Sequence, residues 1–131
     1  MIDIEPYLFT KVKNAVPEKV DCDTSYERTP SSFPRLTLSV EDNSVHEKTR
    51  DSGNIENHAL IMVEVNAYSN KTTGKKQECK ELIAVADNVL SSLGLTRTFM
   101  KPVPNLDDPT VCRMTARYTG VADKDKNIYR R

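Results

Sequence analysis

Apolar residues recur at helical spacing in two stretches of the chain, and these predict two helices, over Asp3–Val16 and Lys75–Leu93. Pro17 ends the first stretch, and Gly94 follows the second as a left-handed terminating residue. The apolar positions of the first helix are Ile4, Leu8, Val12 and Ala15. Those of the second, three and four residues apart, are Cys79, Leu82, Ile83, Ala86, Val89, Leu90 and Leu93.

Strict alternation of side chains predicts strands between the helices and after them. The clearest strand is His58–Tyr68, in which every second residue is apolar and the other positions are half apolar. We therefore expect part of its second face to be covered. The other predicted strands, each bounded by turn formers or prolines, are Val20–Tyr26, Leu36–Val40, Leu95–Val103 and Thr110–Val121.

Two segments show neither the helical spacing nor the alternation of a strand. Residues 41–57 are polar, carry both acids and bases, and hold the turn formers Asn43, Ser52, Gly53 and Asn54. A connection of this length is uncommon in a compact domain, so we interpret it as an extended loop or hairpin arm that meets a neighbour, with a mobile surface loop as the alternative. The C-terminal tail, residues 123–131, opens with a turn at Asp123 and ends as a short strand or a free tail.

The order is helix, two strands, long loop, strand, helix, and two or three strands. So few helices and so many hairpins do not fit a parallel doubly wound sheet. We predict an α+β fold: a mostly antiparallel sheet with both helices packed on one face and a long loop or hairpin arm between the second and third strands. A chain of 131 residues fits a single domain over residues 1–131.

Composition narrows the function classes. The chain has 19 basic and 19 acidic residues, so it has no overall field to attract DNA or an anionic membrane. Its longest apolar run is far below the ~20 residues that span a bilayer, and no signal peptide is expected at its start. The three cysteines are widely spaced, which predicts reduced thiols in a protein folded in the cytosol rather than a zinc site or a redox dithiol.

No motif predicts catalysis. Thr72–Lys76 resembles a phosphate-binding loop, but position 69 is Ser where that motif needs Gly, and position 76 is Lys where it needs Ser or Thr. His46 and His58 stand apart from any nucleophile or ligand cluster. We therefore expect no enzymatic activity, no cofactor and no metal.

A basic face is the main candidate surface. Arg35, Arg113 and Arg117 would share the polar face of the sheet if their strands lie side by side. No aromatic platform accompanies them in the sequence, as a single-strand nucleic-acid binder would need. We favour pairing with acids of a neighbouring subunit, while a solvated face and phosphate contact are the alternatives.

Four stretches of the chain resemble a known family. They are Tyr26–Pro34 (YERTPSSFP), Asn54–His58 (NIENH), Val63–Lys71 (VEVNAYSNK) and Arg113–Gly120 (RMTARYTG). Together with the element order, they are similar to the tail-completion or tail-terminator proteins of tailed bacteriophages and prophages. This resemblance covers nearly the whole chain.

The resemblance implies a structural virion protein of the tail or neck, assembled in the bacterial cytoplasm. Such proteins form a homo-oligomeric, hexameric ring that caps the tail tube and joins it to the head connector or stopper protein. DNA passes through the lumen without sequence readout, and no membrane is involved. The alternatives are another neck protein (head-closure or stopper), a tail-tube subunit, or a small nucleic-acid-binding regulator.

The resemblance carries over no interface residues, so we choose candidates from their position and charge. For contact with a neighbouring subunit or the tube, the candidates are Glu41, Asp42, Glu47, Lys48, Arg50, Asp51 and Glu56. For a basic face at the lumen or an interface, they are Arg35, Arg113 and Arg117. For a C-terminal contact, they are Tyr129, Arg130 and Arg131.

Overall fold

The computed structural model of the chain describes residues 2–24, 33–45, 58–103, 110–123 and 125–129. Within these ranges it has two helices and six strands. In chain order they are α1 (Glu5–Ala15), β1 (Asp21–Asp23), β2 (Arg35–Val45), β3 (His58–Ser69), α2 (Lys75–Ser92), β4 (Thr96–Val103), β5 (Cys112–Asp123) and β6 (Ile128–Tyr129).

The strands form one sheet in the order β1-β2-β3-β5-β4, and β6 pairs with β5 beyond the end of β4. The β1–β2 pair is parallel, and the other pairs are antiparallel. β3 is the central strand and pairs along its whole length with β5. The predicted α+β fold with a mostly antiparallel sheet is confirmed.

Both helices lie on the same face of the sheet, as predicted. α2 packs over β3 and β5, while α1 packs against β2 and α2. Apolar side chains from all these elements form one core because the predicted stripes of both helices point at the odd-numbered side chains of β3. Fully or almost fully buried members include Ile4, Leu8, Leu36, Leu38, Val63, Val65, Ile83, Leu90 and Tyr118.

The second helix ends at a glycine, as its sequence predicts. Gly94 has φ +108°, and its N–H donates to the Ser91 carbonyl at 3.1 Å, while the Leu95 N–H donates to the Leu90 carbonyl at 3.0 Å. These are the two hydrogen bonds of a Schellman motif. The Gly94 Cα also faces the backbone of Ile128 in β6, so the helix end and the last described strand touch.

The boundary of the predicted arm is partly wrong. β2 runs on to Val45, so Glu41–Val45 belong to a strand and not to the 41–57 loop. Val45 pairs with Ala59, and both ends of the remaining connection therefore leave the sheet at neighbouring positions, as in a hairpin. Residues 46–57 themselves lie outside the described residues.

The 123–131 tail includes a strand in its described part. Asp123 Oδ1 accepts hydrogen bonds from the N–H groups of Asp125 and Asn127, both at 2.9 Å, which closes the predicted turn. Ile128 and Tyr129 then pair with Ala122 and Val121. Within the described ranges, no helix is long and apolar enough to cross a membrane.

Candidate functional site on the far face of the sheet

The face of the sheet opposite the two helices, here called the far face, is defined by register. Because directly opposed residues share a face, the even-numbered residues of β3 align with the odd-numbered residues of β5. One row runs through Arg35, Tyr68 and Arg113. Arg113 in turn pairs with Val103, so this row reaches from β2 to the edge strand β4.

One part of the far face is a buried polar cluster. Asn66 Oδ1 accepts from Arg113 Nε at 3.0 Å and from Thr115 Oγ1 at 2.6 Å. The Arg113 guanidinium lies 6.0 Å from the centre of the Tyr68 ring. Asn66 and Tyr68 are buried, which confirms that the second face of β3 is partly covered.

Arg35 belongs to this row but is neutralised inside the chain. It is 4% exposed, and its guanidinium contacts Asp21 at 2.6 Å and Asp23 at 3.1 Å. The parallel pairing of β1 with β2 places these two aspartates beside Arg35. Its charge is therefore balanced by β1, whereas the Arg113 and Arg117 side chains are only half-buried.

The three predicted arginines share a face, although their strands are not adjacent. β3 lies between β2 and β5, so Arg35 is separated from Arg113 by Tyr68. Arg117 lies two rows away, opposite Glu64. The expected common face is confirmed by the register, while a role at a lumen or interface stays a prediction.

The other part of the far face, here called the mixed patch, combines apolar and charged side chains. Leu60, Met62 and Val121 are half-buried there, and Glu64 with Arg117 forms the next row. Asp42, a predicted contact residue, is exposed opposite Met62. Partly exposed apolar side chains ringed by charges are typical of protein contact surfaces.

Two carboxyl groups meet at the edge of the mixed patch. Burial and then the neighbouring Glu41 carboxyl raise the pKa of Glu64 above its ordinary value, against the opposing effect of Arg117. Arg117 Nε lies 3.7 Å from Glu64 Oε1. Glu41 Oε1 also accepts from Ser39 Oγ at 2.5 Å. Glu41 is exposed, and a shift in pairing register with β3 falls at this position of β2.

An aromatic side chain does accompany the arginines, contrary to expectation. Phe99 lies opposite Arg117, whose guanidinium carbon is 5.5 Å from the centre of the ring. Lys101 Nζ is 5.2 Å from the same ring. Such contacts stabilise by ~0.5–1 kcal/mol at exposed sites, and they hold two cations at the edge of the far face.

On the helix side, two polar networks fasten α2 to the sheet. Tyr118 Oη donates to Asp87 Oδ1 at 2.8 Å, and Arg97 Nη1 lies 3.3 Å from the same oxygen. Burial, then the bond to Asp87, raises the pKa of the Tyr118 hydroxyl. These contacts join the middle of α2 to β4 and β5.

The second network joins the first turn of α2 to the end of β3. Glu78 Oε1 accepts from Ser69 Oγ at 2.7 Å, and Glu78 Oε2 lies 3.2 Å from Lys71 Nζ. Burial raises the pKa of Glu78, but the hydrogen bonds from Ser69 and Lys71 and the charge of Lys71 outweigh it, so the pKa is lowered. Glu78 is therefore an ionised anchor.

The described part of the chain holds no group of three metal-ligating side chains. Lys75 does not point into a phosphate cradle, since its Nζ donates to the Thr110 carbonyl at 3.2 Å. Two open clefts, of about 220 and 310 Å³, lie around Pro17 and Val20. Among the described residues that line them, neither has a histidine, cysteine or serine that could act as a nucleophile or base.

Most of the remaining predicted contact residues lie outside the part of the chain that the structure describes. Glu47, Lys48, Arg50, Asp51 and Glu56 lie in residues 46–57, which are not among the described residues. Arg130 and Arg131 lie outside them too, whereas the backbone of Tyr129 is part of β6.

Comparison with known proteins does not assign the chain to a family. No protein-family model matches the sequence, and no curated protein matches it.

Sequence reasoning chose neither Phe99 nor Glu64 as a site residue, although alternation does place Glu64 on the second face of β3. Glu64 was visible as the charged residue of the central strand, but its partners come from β2 and β5, which are distant in sequence. Phe99 reaches the far face because β4 shifts register by one residue between Arg97 and Phe99. Such a shift leaves no clear mark in an alternating pattern.

Proposed function

We propose that the chain is a structural subunit of a bacteriophage or prophage tail or neck. It forms a ring, expected to be hexameric, that caps the tail tube and joins it to the head connector. The observation that supports this function best is the far face. It is a sheet surface on which, among the described residues, no helix packs, and its mixed patch leaves Leu60, Met62 and Val121 partly exposed.

The charges of the far face suit repeated contact between identical subunits. Asp42 and Glu41 lie exposed on β2, while Lys101 is exposed on β4, three strands away. A ring needs a heterologous interface in which two different surfaces of the same chain meet. Acids near one edge of the sheet and cations at the other provide such complementary surfaces.

The apolar positions can supply part of the burial that a stable ring requires. Leu60, Met62 and Val121 lie in adjacent rows of β3 and β5, so a partner that covers one of them covers all three. Burying apolar area stabilises by ~25 cal/mol per Å², and a standard interface buries ~800 Å² on each partner. The mixed patch can form the apolar centre of an interface with a charged rim.

The decisive experiment measures assembly directly. The purified chain is examined by native mass measurement and negative-stain imaging, alone and with tail tubes of the phage or prophage that encodes it. We expect closed rings that bind tube ends and stop there. Long stacks would indicate a tube protein, rings that bind only the connector would indicate a stopper, and a strict monomer that ignores tube ends would contradict the proposal.

A matched pair of variants tests the far face. Met62→Lys places a charge in the mixed patch, whereas Ala84→Lys places the same charge on the exposed outer side of α2. Both variants are first checked for an unchanged circular-dichroism spectrum. We expect Met62→Lys to abolish rings and Ala84→Lys to form them normally. If both variants form rings equally well, the far face is not part of the interface.

A second function is supported by one observation. Phe99 with Arg117 and Lys101 offers a ring flanked by two cations, which is an arrangement that stacks nucleobases and contacts phosphates. A small nucleic-acid-binding regulator would bind single-stranded DNA with an affinity that falls steeply with salt. The nearby carboxylates of Glu41 and Glu64 oppose phosphate binding, so we rank this function second.

A further inference from the structure

Two cysteines meet where the start of α2 covers the start of β5. The Cys79 thiol is fully buried, and its Sγ lies 3.3 Å from the main-chain oxygen of Cys112 and 3.5 Å from that of Ala67. Cys112 is the first residue of β5 and is half-buried. Its side chain packs against the core, so the Cys79 thiol is enclosed while the Cys112 residue is partly accessible.

The register gives independent evidence that the Cys112 side chain points towards α2. Ser69 and Cys112 are directly opposed in the β3–β5 ladder, so their side chains share a face. Ser69 Oγ donates to Glu78, the residue before Cys79. The first turn of α2 therefore lies above this row, and the Cys112 side chain points into the space that Cys79 occupies.

We propose that Cys79 and Cys112 form a disulfide that links α2 to β5 when the protein meets an oxidising environment. The oxidant is a low-molecular-weight disulfide such as oxidised glutathione. The Cys112 thiolate attacks it and releases one glutathione thiolate, and the Cys79 thiolate then attacks the Cys112 sulfur and releases the second. Two thiols are oxidised, one disulfide is reduced, and the two protons pass to the solvent or the released thiolates.

We expect the pair to stay reduced in a reducing cytosol. Burial, followed by the neighbouring Cys112 thiol, raises the pKa of Cys79. The second step therefore accelerates with rising pH, because the Cys79 thiolate is the nucleophile. The third cysteine, Cys22, lies on β1, separated from β5 by two strands, and cannot replace either partner.

The link would fasten a helix to the sheet across a chain separation of 33 residues. Its biological setting rests on the proposed function: a virion subunit folds in a reducing cytosol and is released into an oxidising medium, where the link would lock the subunit. Formation of the disulfide by the isolated chain does not depend on ring assembly, so each proposal can fail without the other.

The test is a thiol–disulfide equilibrium on the full chain with Cys22→Ser, which leaves only this pair. The chain is equilibrated with reduced and oxidised glutathione from both the reduced and the oxidised side, in native buffer and in concentrated urea. We expect the ratio of disulfide to dithiol to be at least about 30-fold higher in native buffer than in urea, the lower end of what native disulfides contribute. Peptide mass mapping should show Cys79 and Cys112 linked with the loss of two hydrogen atoms.

A second measurement uses the unmodified chain, so the result does not depend on how Cys22→Ser folds. After oxidation, mapping should again link Cys79 to Cys112 and leave Cys22 as a thiol. The proposal is overturned if the disulfide-to-dithiol ratio in native buffer exceeds that in urea by less than about 30-fold. It is also overturned if mapping links Cys22 to another cysteine. Equilibration from both directions removes slow kinetics as an explanation for a low ratio.

Discussion

The end of α2 and its contact with β6, the last described strand, both depend on Gly94. An alanine there would meet two separate penalties. Its φ of +108° lies outside what side chains adopt comfortably, and its Cβ would lie 2.5 Å from the Ile128 carbonyl oxygen and 3.2 Å from its carbon. Those atoms are backbone, so they cannot swing away as the end of a side chain would.

Gly74 provides a matched control for the first penalty alone. It has φ +77°, but an added Cβ meets nothing within 4 Å. A left-handed backbone conformation destabilises an alanine by ~1–2 kcal/mol. Alanine also lowers the conformational entropy of the unfolded chain, which stabilises the folded state by ~0.4–1 kcal/mol. Gly74→Ala should therefore destabilise the protein by about 1 kcal/mol. Overpacking adds ~1–3 kcal/mol, so Gly94→Ala should destabilise by about 2–4 kcal/mol.

Urea unfolding followed by circular dichroism measures both values, with unchanged m-values as the sign that the same structure unfolds. A double-mutant cycle isolates the contact with β6. In a chain that ends at Asn127, Ile128 is absent, and the cost of Gly94→Ala should fall to about the Gly74→Ala value. If Gly94→Ala costs the same in the full and shortened chains, the close approach to Ile128 does not limit this position.

Three other substitutions test the polar networks by urea unfolding. Glu64→Gln should stabilise the protein near neutral pH. The pKa of Glu64 is raised in the folded state, so the wild type loses stability as pH rises above about 4.5, and the variant does not. An equal gain in unfolding free energy at pH 4 and at pH 7 would contradict this. Glu78→Gln should destabilise by about 1–2 kcal/mol at pH 7 and progressively less as pH falls through the lowered folded-state pKa; a pH-independent loss would contradict this. Tyr118→Phe removes the hydrogen bond to Asp87 and should cost about 1–2 kcal/mol, whereas no loss would show that the hydroxyl is equally well hydrated.

The order and type of the two helices and of the first five strands follow from the sequence, whereas the last strand was left open between a strand and a free tail. The apolar stripe before Gly94 and the alternation in β3 both point at one core, and local and tertiary preferences agree there. The end of β2 was not predictable in this way. Beyond Thr37, β2 pairs only with β3 in the described part of the chain, so polar residues such as Asp42 are solvated there while their backbone stays paired.

The far face was less predictable because its contacts join strands that are distant in sequence. Asn66 and Glu64 lie on β3, but their partners Arg113, Thr115 and Arg117 lie on β5, after α2 and β4. Alternation tells which side chains share a face of one strand. It gives neither the order of the strands nor the register, and both are needed to place Glu64 opposite Arg117.

Two one-residue shifts decide which side chains the far face presents. Without the shift in β4, Phe99 would lie opposite Ala116 on the helix side; with it, Phe99 lies opposite Arg117. Without the shift in β2, Asp42 would oppose Ile61 over the core; with it, Asp42 opposes Met62 in exposed surroundings. Bulges re-aim side chains in this way at the cost of one unpaired residue. The same device in both strands brings an aromatic ring and a carboxylate to one surface.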